Sequence, residues 1–396
     1  MCLRIFTCAY LIGALCLFLG GCGRACNTTF GGSTSPSLRH PGADKEKKPW
    51  IKWDMRSLSL IQPHAGYGRM IRLVSGEILC CFEFEGKIQV RRSDDDGRTW
   101  NEPSIVASWE HGALANPALL QIRKGSVLCF YNQRPAPRSY TTQDAYPFAI
   151  CLTRSEDGGW TWQTPVTLYS GGFNFEEGCW EPVAIELPTG EIQMFFANEK
   201  PYRSTHEQEI TLLRSFDGGT TWCEPETVSF RAGHRDGMPA PLVLHDNKGI
   251  VLAIEDNGLD KVNMKPVIVY TSLEDNWRSG CVDGDSPRRW PALAKPLPPP
   301  VYAGAPYMCR LPSGRIVLSF QQADDGDLAH SHMVVCIGDA DARDFFSPSY
   351  PFPRTPHKGQ LWNSLFVKNK DTITALSSTV INDVPGLWSI DGRVNE

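Results

Sequence analysis

The stretch "RSDDDGRTW" at 92–100 returns as "RSEDGGWTW" at 154–162 and "RSFDGGTTW" at 214–222. Its recurring Ser, Asp, Gly and Thr-Trp suit either a ligand site used three times or a turn that builds the fold. The Ser and Asp side chains can hydrogen-bond local backbone donors, and the Gly permits a positive φ. The Trp can then pack between sheets. A calcium loop fails on spacing, because "DDDG" lacks alternating ligands and a distant bidentate Glu. The stretch reads as a structural turn, with Glu156 and Asp157 a shifted variant in the second copy.

A second repeat interlocks with it. "YGRMIRLVSGEILCCFE", "NPALLQIRKGSVLCFYN", "EPVAIELPTGEIQMFFA", "MPAPLVLHDNKGIVLAIE" and "APYMCRLPSGRIVLSFQ" each read as apolar strand, Gly-bearing turn, apolar strand, and "NSLFVKNKDTITALSS" is a degenerate sixth copy. The copies begin at Tyr67, Asn116, Glu181, Met238, Ala305 and Asn363, a spacing that fits propeller blades. After the first three copies come a third strand, the acidic turn and a fourth strand. "LEDNW" (273–277) and "GDADARDF" (338–345) hold the equivalent place in the fourth and fifth. The pattern predicts an all-β protein, a six-bladed β-propeller of four-stranded antiparallel blades. The run "WDMRSLSLI" at 53–61 is expected to give the last blade an outer strand and close the ring.

The 396 residues carry 39 Lys plus Arg against 44 Asp plus Glu, a net charge of −5, so nothing electrostatic points to nucleic acid. At the start, Arg4 precedes the apolar run "IFTCAYLIGALCLFLG", too short and wrongly flanked for a stable membrane span. It ends in "LGGC" at 19–22, which resembles a bacterial lipobox and implies cleavage before a lipidated Cys22. The expected organisation is a signal peptide at 1–21, a polar tether at 22–50 and one propeller at 51–396. That describes an outer-membrane lipoprotein facing the periplasm or the cell surface, touching the membrane only through its anchor. Cys80, Cys81, Cys129, Cys309 and Cys336 lie in apolar strand patterns, where cysteine behaves as a small hydrophobe. Cys80 and Cys81, being adjacent, are expected on opposite faces of a strand. No metal spacing and no phosphate-binding loop occurs, so no metal or cofactor is expected.

Strand direction locates the chemistry. In such a blade, first-strand starts and second-strand ends share one face, around a central depression suited to a ligand. The second-strand ends are Glu83, Asn132, Ala197, Glu255, Gln321 and Ser378. Glu83, Glu181 and Glu255 therefore face one funnel. Glycoside hydrolysis needs two carboxyls, one protonated and one ionised. Glu181 and Glu255, on neighbouring blades, are the candidate pair, and crowding raises at least one pKa. Tyr67, Arg69, Glu83, His111, Asn116, Trp180, His234, Arg235, Asp236 and Gln321 are candidate substrate-binding residues, with Trp180 suited to stacking on a sugar ring. Arg134 and Arg203 follow second strands and can reach the same face.

The Ser-x-Asp-x-Gly-x-Thr-Trp turn resembles the Asp-box of the sialidase superfamily, whose fold is a six-bladed propeller. The resemblance covers about residues 53–390. Sialidases bind their substrate carboxylate with three arginines and use a tyrosine nucleophile. Their first arginine, in a Phe-Arg-Ile-Pro motif, falls on Gly66, with Arg69 three residues away, and "GAPYM" offers none. "CWEPV", "RDGMP" followed by "LAIE", and "GAPYMCRLPSGRIVLSFQ" look more like the family 93 glycoside hydrolases, exo-acting arabinanases that retain configuration with two glutamates. That resemblance implies Glu181 as acid/base and Glu255 as nucleophile, with the reverse assignment left open. The leading expectation is a monomeric, anchored exo-glycosidase acting on a polysaccharide or glycoconjugate. An exo-α-sialidase and a non-catalytic glycan-binding propeller are the alternatives.

Overall fold

The computed structural model describes residues 48–136 and 146–396. Six antiparallel sheets follow one another along the chain, and among the described residues there is no α-helix. The innermost strands are Gly66–Arg72, Gly112–Gln121, Cys179–Glu186, Asp236–Val243, Tyr302–Arg310 and Leu361–Asn369. The second strands are Ile78–Phe84, Val127–Pro135, Ile192–Asn198, Gly249–Asp256, Ile316–Ala323 and Thr372–Ile381. This is the six-bladed β-propeller read from the repeats.

The second strands are apolar on both faces because each blade is sandwiched between two others. Cys80 and Cys81 show it directly. Cys80 packs with Ile61, Phe82 and Leu376, towards the sixth blade, whereas Cys81 packs with Leu114 and Cys129, towards the second. All nine cysteines in the described residues are free.

Ring closure follows the expectation, with one refinement. Trp50–Trp53 and Ser59–Pro63 both pair with Val384–Asn395, the third strand of the last blade. The outer strand is split because Asp54 accepts from the Arg56 N–H and starts a 3-10 turn at Met55–Ser57. Residues 1–21 and Cys22 lie outside the described residues, as does most of the 22–50 tether.

The acidic turns act within the fold. Asp95 accepts from the Thr99 N–H (2.9 Å) and the Thr99 hydroxyl (2.7 Å), while Ser93 accepts from the Gly97 N–H (2.7 Å). Asp157 and Asp217 repeat the pattern with Thr161 and Thr221. The second copy is therefore in register, not shifted: Asp157 holds the ligating place and Glu156 is an extra acid that accepts from the Ser126 hydroxyl. These hydrogen bonds hold all three Asp carboxyls well below the usual carboxylate range.

The Arg that opens each copy has its own task. Arg92 donates to the Gly158 carbonyl, Arg154 to that of Gly218 and Arg214 to that of Asn276. Each guanidinium thus ties its blade to the acidic turn of the next. Three consecutive junctions are latched in this way, on the face opposite the funnel.

Candidate active site

Every innermost strand breaks register near its start, and one residue there enters the left-handed region. These are Tyr67 (φ 54), Asn116 (φ 51), Glu181 (φ 52), Met238 (φ 49), Ala305 (φ 49) and Trp362 (φ 55). A bulge of this kind re-aims side chains. Pro117, Pro182, Pro239 and Pro306 follow it, where a missing N–H costs no ladder bond. Tyr67, Met238 and Ala305 form one apolar cluster with Trp362 against it, which places the six bulge residues around the propeller axis. The sixth position is Trp362 rather than Asn363, which is buried and donates to the Gln360 carbonyl.

The second-strand ends stand opposite these bulges as the repeat predicts: Gly66 pairs with Glu83, Gly237 with Glu255, Gly304 with Gln321 and Leu361 with Ser378. Their side chains latch the next blade. The bulge N–H groups of Asn116, Ala305, Trp362 and Tyr67 donate to Glu83 (3.2 Å), Glu255 (2.8 Å), Gln321 (3.1 Å) and Ser378 (3.0 Å). One architectural position is thus filled by a carboxylate, an amide or a hydroxyl. At the third junction Ala197 has no side-chain acceptor to offer, and the Glu181 carboxyl lies near the Met238 backbone, which favours its anion.

Glu181 and Glu255 therefore meet at the start of the fourth blade. Glu255 lies across the ladder from Gly237, and Glu181 engages the backbone of the following residue. Burial, reinforced by the Glu255 charge, pushes the Glu181 carboxyl up to about 8. Burial also raises Glu255, but the Ala305 N–H, the Arg235 charge and the Tyr302 hydroxyl (3.4 Å) oppose it. One carboxyl is thus held protonated near neutrality and the other is supplied with partners for its anion. Two glycines make room for it. A Cβ on Gly237 would lie 2.9 Å from Glu255 Oε1, and one on Gly304 would overlap Glu255 Oε2 and the Tyr302 hydroxyl.

A small cavity beside Glu181 is lined by Tyr67, Arg69, Glu181, Met238, Pro306 and Tyr307, without Glu255. The Arg69 guanidinium sits 3.9 Å from the Tyr67 ring centre and donates to the Gly68 and Trp362 carbonyls. Asn116 accepts from Arg134, which also lies 5.2 Å from the Trp180 ring.

Several expected sugar-binding residues have other duties. Trp180 is not a free stacking platform: it is buried against Phe148 and Phe175, and its indole donates to Glu199 (3.0 Å). Asp236 is sealed from solvent in a bidentate pair with Arg289, which also bridges to Asp256. Gln321 is fully buried as a blade latch. His111 stacks on Tyr146 (4.2 Å) beside Trp109 and stays partly exposed at the second blade's entrance. His234 is half-buried near Gly258, and Arg235 pairs with Glu199 (2.5 Å). Arg203 is exposed and pairs with Glu177 (3.0 Å).

Glu199 and Tyr302 escaped the sequence reading. Glu199 lies just past the end of Ile192–Asn198, where the chain enters a 3-10 turn at Lys200–Tyr202, and gathers Trp180, Gln208 (3.1 Å) and Arg235. Its signal was the small Ala197, which leaves a vacant polar position to be filled from nearby. Tyr302 opens the fifth blade's first strand three residues before the copy was taken to begin.

The fold is a six-bladed β-propeller with two neighbouring carboxyls, Glu181 and Glu255, on one face. A BNR repeat-like domain profile matches residues 82–178. Among solved structures, a protein of unknown function from Dyadobacter fermentans superposes with a TM-score of 0.68 at 17% identity, covering 88% of this chain and 100% of that one. An α-L-arabinofuranosidase from Fusarium graminearum, in complex with an iminosugar inhibitor, gives 0.63 at 19%, covering 87% and 97%. Trypanosoma rangeli sialidase, in complex with the inhibitor DANA, gives 0.57 at 15%, covering 84% of this chain and 55% of that one. At these identities the likeness is one of fold, and it agrees with the sialidase-superfamily and family 93 resemblance of the sequence. No curated protein matches the chain by sequence.

Proposed function

We propose that this protein is an exo-acting glycoside hydrolase that releases terminal sugars from a polysaccharide or glycoconjugate, with Glu181 as acid/base and Glu255 as nucleophile. The observation that carries the reading is two neighbouring carboxyls, both raised by burial, of which Glu255 is the one given a backbone N–H donor for its anion. Glu181 is pushed up to about 8 and holds its proton, whereas Glu255 receives the Ala305 N–H and faces Arg235 and Tyr302. Environments that separate two carboxyls assign the acid and the anion. In a retaining reaction Glu181 would protonate the leaving oxygen while Glu255 attacks the anomeric carbon. Water, deprotonated by Glu181, would then release the sugar. The arabinofuranosidase likeness favours a family 93-type substrate over other sugars.

The sialidase alternative draws on Arg69 between Tyr67 and Tyr307. It is the weaker reading, because Arg69 is engaged by backbone carbonyls and Arg235 by Glu199. The deciding experiment presents the chain with aryl arabinofuranosides, other aryl glycosides, an aryl sialoside and plant or host glycans. Sugar release that disappears in Glu181→Gln and Glu255→Gln supports the proposal. Sialic acid release would favour the alternative, and glycan binding without any product would favour a non-catalytic propeller.

A further inference from the structure

On the same face as the carboxyl pair, a second site lies between the fifth and sixth blades. It is built by the loop joining Ile316–Ala323 to His332–Ile337 and by the segment leading into Leu361–Asn369. We propose that this pocket, lined by His330, Ser331, His332, Arg354, His357 and Lys358, binds a carboxylate or sulfate group carried on a saccharide. The saccharide half of the proposal rests on the glycosidase reading; the binding of an anion does not.

Donors dominate the lining, and no carboxylate belongs to it. Arg354 and Lys358 both reach solvent at the pocket, and no carboxylate lies within ion-pair distance of either among the described residues. Arg354 instead donates to His332 Nε2 (2.8 Å) and lies 5.6 Å from the Tyr350 ring centre. Because that nitrogen accepts, the neutral His332 ring carries its proton on Nδ1. Burial and the Arg354 charge keep the ring neutral by lowering its pKa.

A second chain of groups converges from the other side. His330 Nδ1 meets Asp325 Oδ2 at 2.5 Å, and its Nε2 meets His357 Nδ1 at 2.8 Å. The Asp325 carboxylate raises the His330 pKa and fixes its proton on Nδ1. Between the two chains sits Ser331, only 3% exposed, whose hydroxyl has no hydrogen-bond partner. A buried hydroxyl without a partner is unfavourable. A ligand oxygen would satisfy it.

Other ligands fit less well. A metal would need free imidazole lone pairs, yet His330 and His357 are bonded to each other, and no group of three ligating side chains gathers among the described residues. A nucleic acid would need a broad basic surface, whereas the chain carries −5 overall. A single anionic substituent matches two unpaired cations and a waiting hydroxyl in one recess. Its position two residues before Trp362, which stands at the axis, suits a sugar unit beyond the one cleaved.

The test is calorimetric titration of the full chain with glucuronic acid, glucose 6-sulfate, inorganic sulfate and glucose. It is run on the natural sequence, on the Arg354→Gln/Lys358→Gln double variant and on Ser331→Ala. Saturable binding of glucuronic acid or glucose 6-sulfate, at least tenfold weaker in the double variant and weaker in Ser331→Ala, with no glucose binding, is expected. Thermal melts confirm that the variants are folded. Inorganic sulfate binding as tightly as the anionic sugars would overturn the saccharide half. Anion binding that is absent, or unchanged in the variants, would overturn the site itself. Hydrolysis is not the readout, so a chain that binds glucuronic acid yet cleaves nothing would sink the glycosidase reading and leave anion binding standing.

Discussion

Glu255 Oε2 accepts the backbone N–H of Ala305 at 2.8 Å, across the junction between the fourth and fifth blades. The same latch is made by Gln321 to Trp362 and by Ser378 to Tyr67. A negative charge is therefore not what the architecture requires at this position. It is what the chemistry would require.

Glu255→Gln consequently separates fold from function. The amide oxygen keeps the Ala305 bond, so the melting temperature should stay close to that of the natural protein. Loss of the carboxylate should lower kcat/KM by at least about 10³-fold, and Glu181→Gln should lower it by about 10²–10⁴-fold. Full activity in either variant removes that residue from the mechanism.

Gly304→Ala tests positioning. The added methyl would collide with Glu255 Oε2 and the Tyr302 hydroxyl, so the carboxylate must turn away. A displacement of this order costs about 10²-fold in activity. The loss should appear in kcat with little change in KM, and wild-type kinetics would show that the Glu255 orientation is irrelevant.

The pH profile follows from the two environments. The acid is competent only while protonated, so kcat/KM should fall on the basic side as pH rises through about 8, where Glu181 titrates. The acidic limb should lie above the usual carboxylate range, because Glu255 is raised too. Stability shares the sign. The folded state holds a Glu181 proton between its ordinary 4.5 and about 8 that the unfolded chain has released, so stability declines as pH rises across that window. In Glu181→Gln the decline should be shallower; an unaltered slope in chemical denaturation would contradict the assigned proton.

Beneath the site, Arg289 joins the sealed carboxylates of Asp236 and Asp256 with contacts of 2.5 Å. Arg289→Met leaves Asp236 buried without a counter-ion and Asp256 with Arg231 alone, which should cost about 3–5 kcal/mol in denaturant unfolding. A change below about 1 kcal/mol would show that Arg231, 3.2 Å from Asp256, compensates alone.

The lipid anchor that the sequence suggests at Cys22 has its own test. Cys22→Ala should shift the protein from the membrane fraction to the soluble one and abolish incorporation of labelled palmitate. Unchanged fractionation would argue for an ordinary secretory leader instead.

The sequence by itself determined the propeller, the blade boundaries and the facing of Glu83, Glu181 and Glu255. Two short-range periodicities are enough for that, because a strand's side chains alternate and a turn's residue types report its backbone. The register held in five of the six copies and slipped in the sixth, at Trp362, where no Pro marks the bulge as it does after Asn116, Glu181, Met238 and Ala305. Only the tertiary structure decided which polar residues were already committed. Trp180, Asp236 and Gln321 look like ligand-binding residues along the chain, yet Glu199, Arg289 and Trp362 engage them. The last two of those partners lie 53 and 41 residues away. A polar side chain's availability depends on the partners the fold brings to it, and no local pattern encodes them.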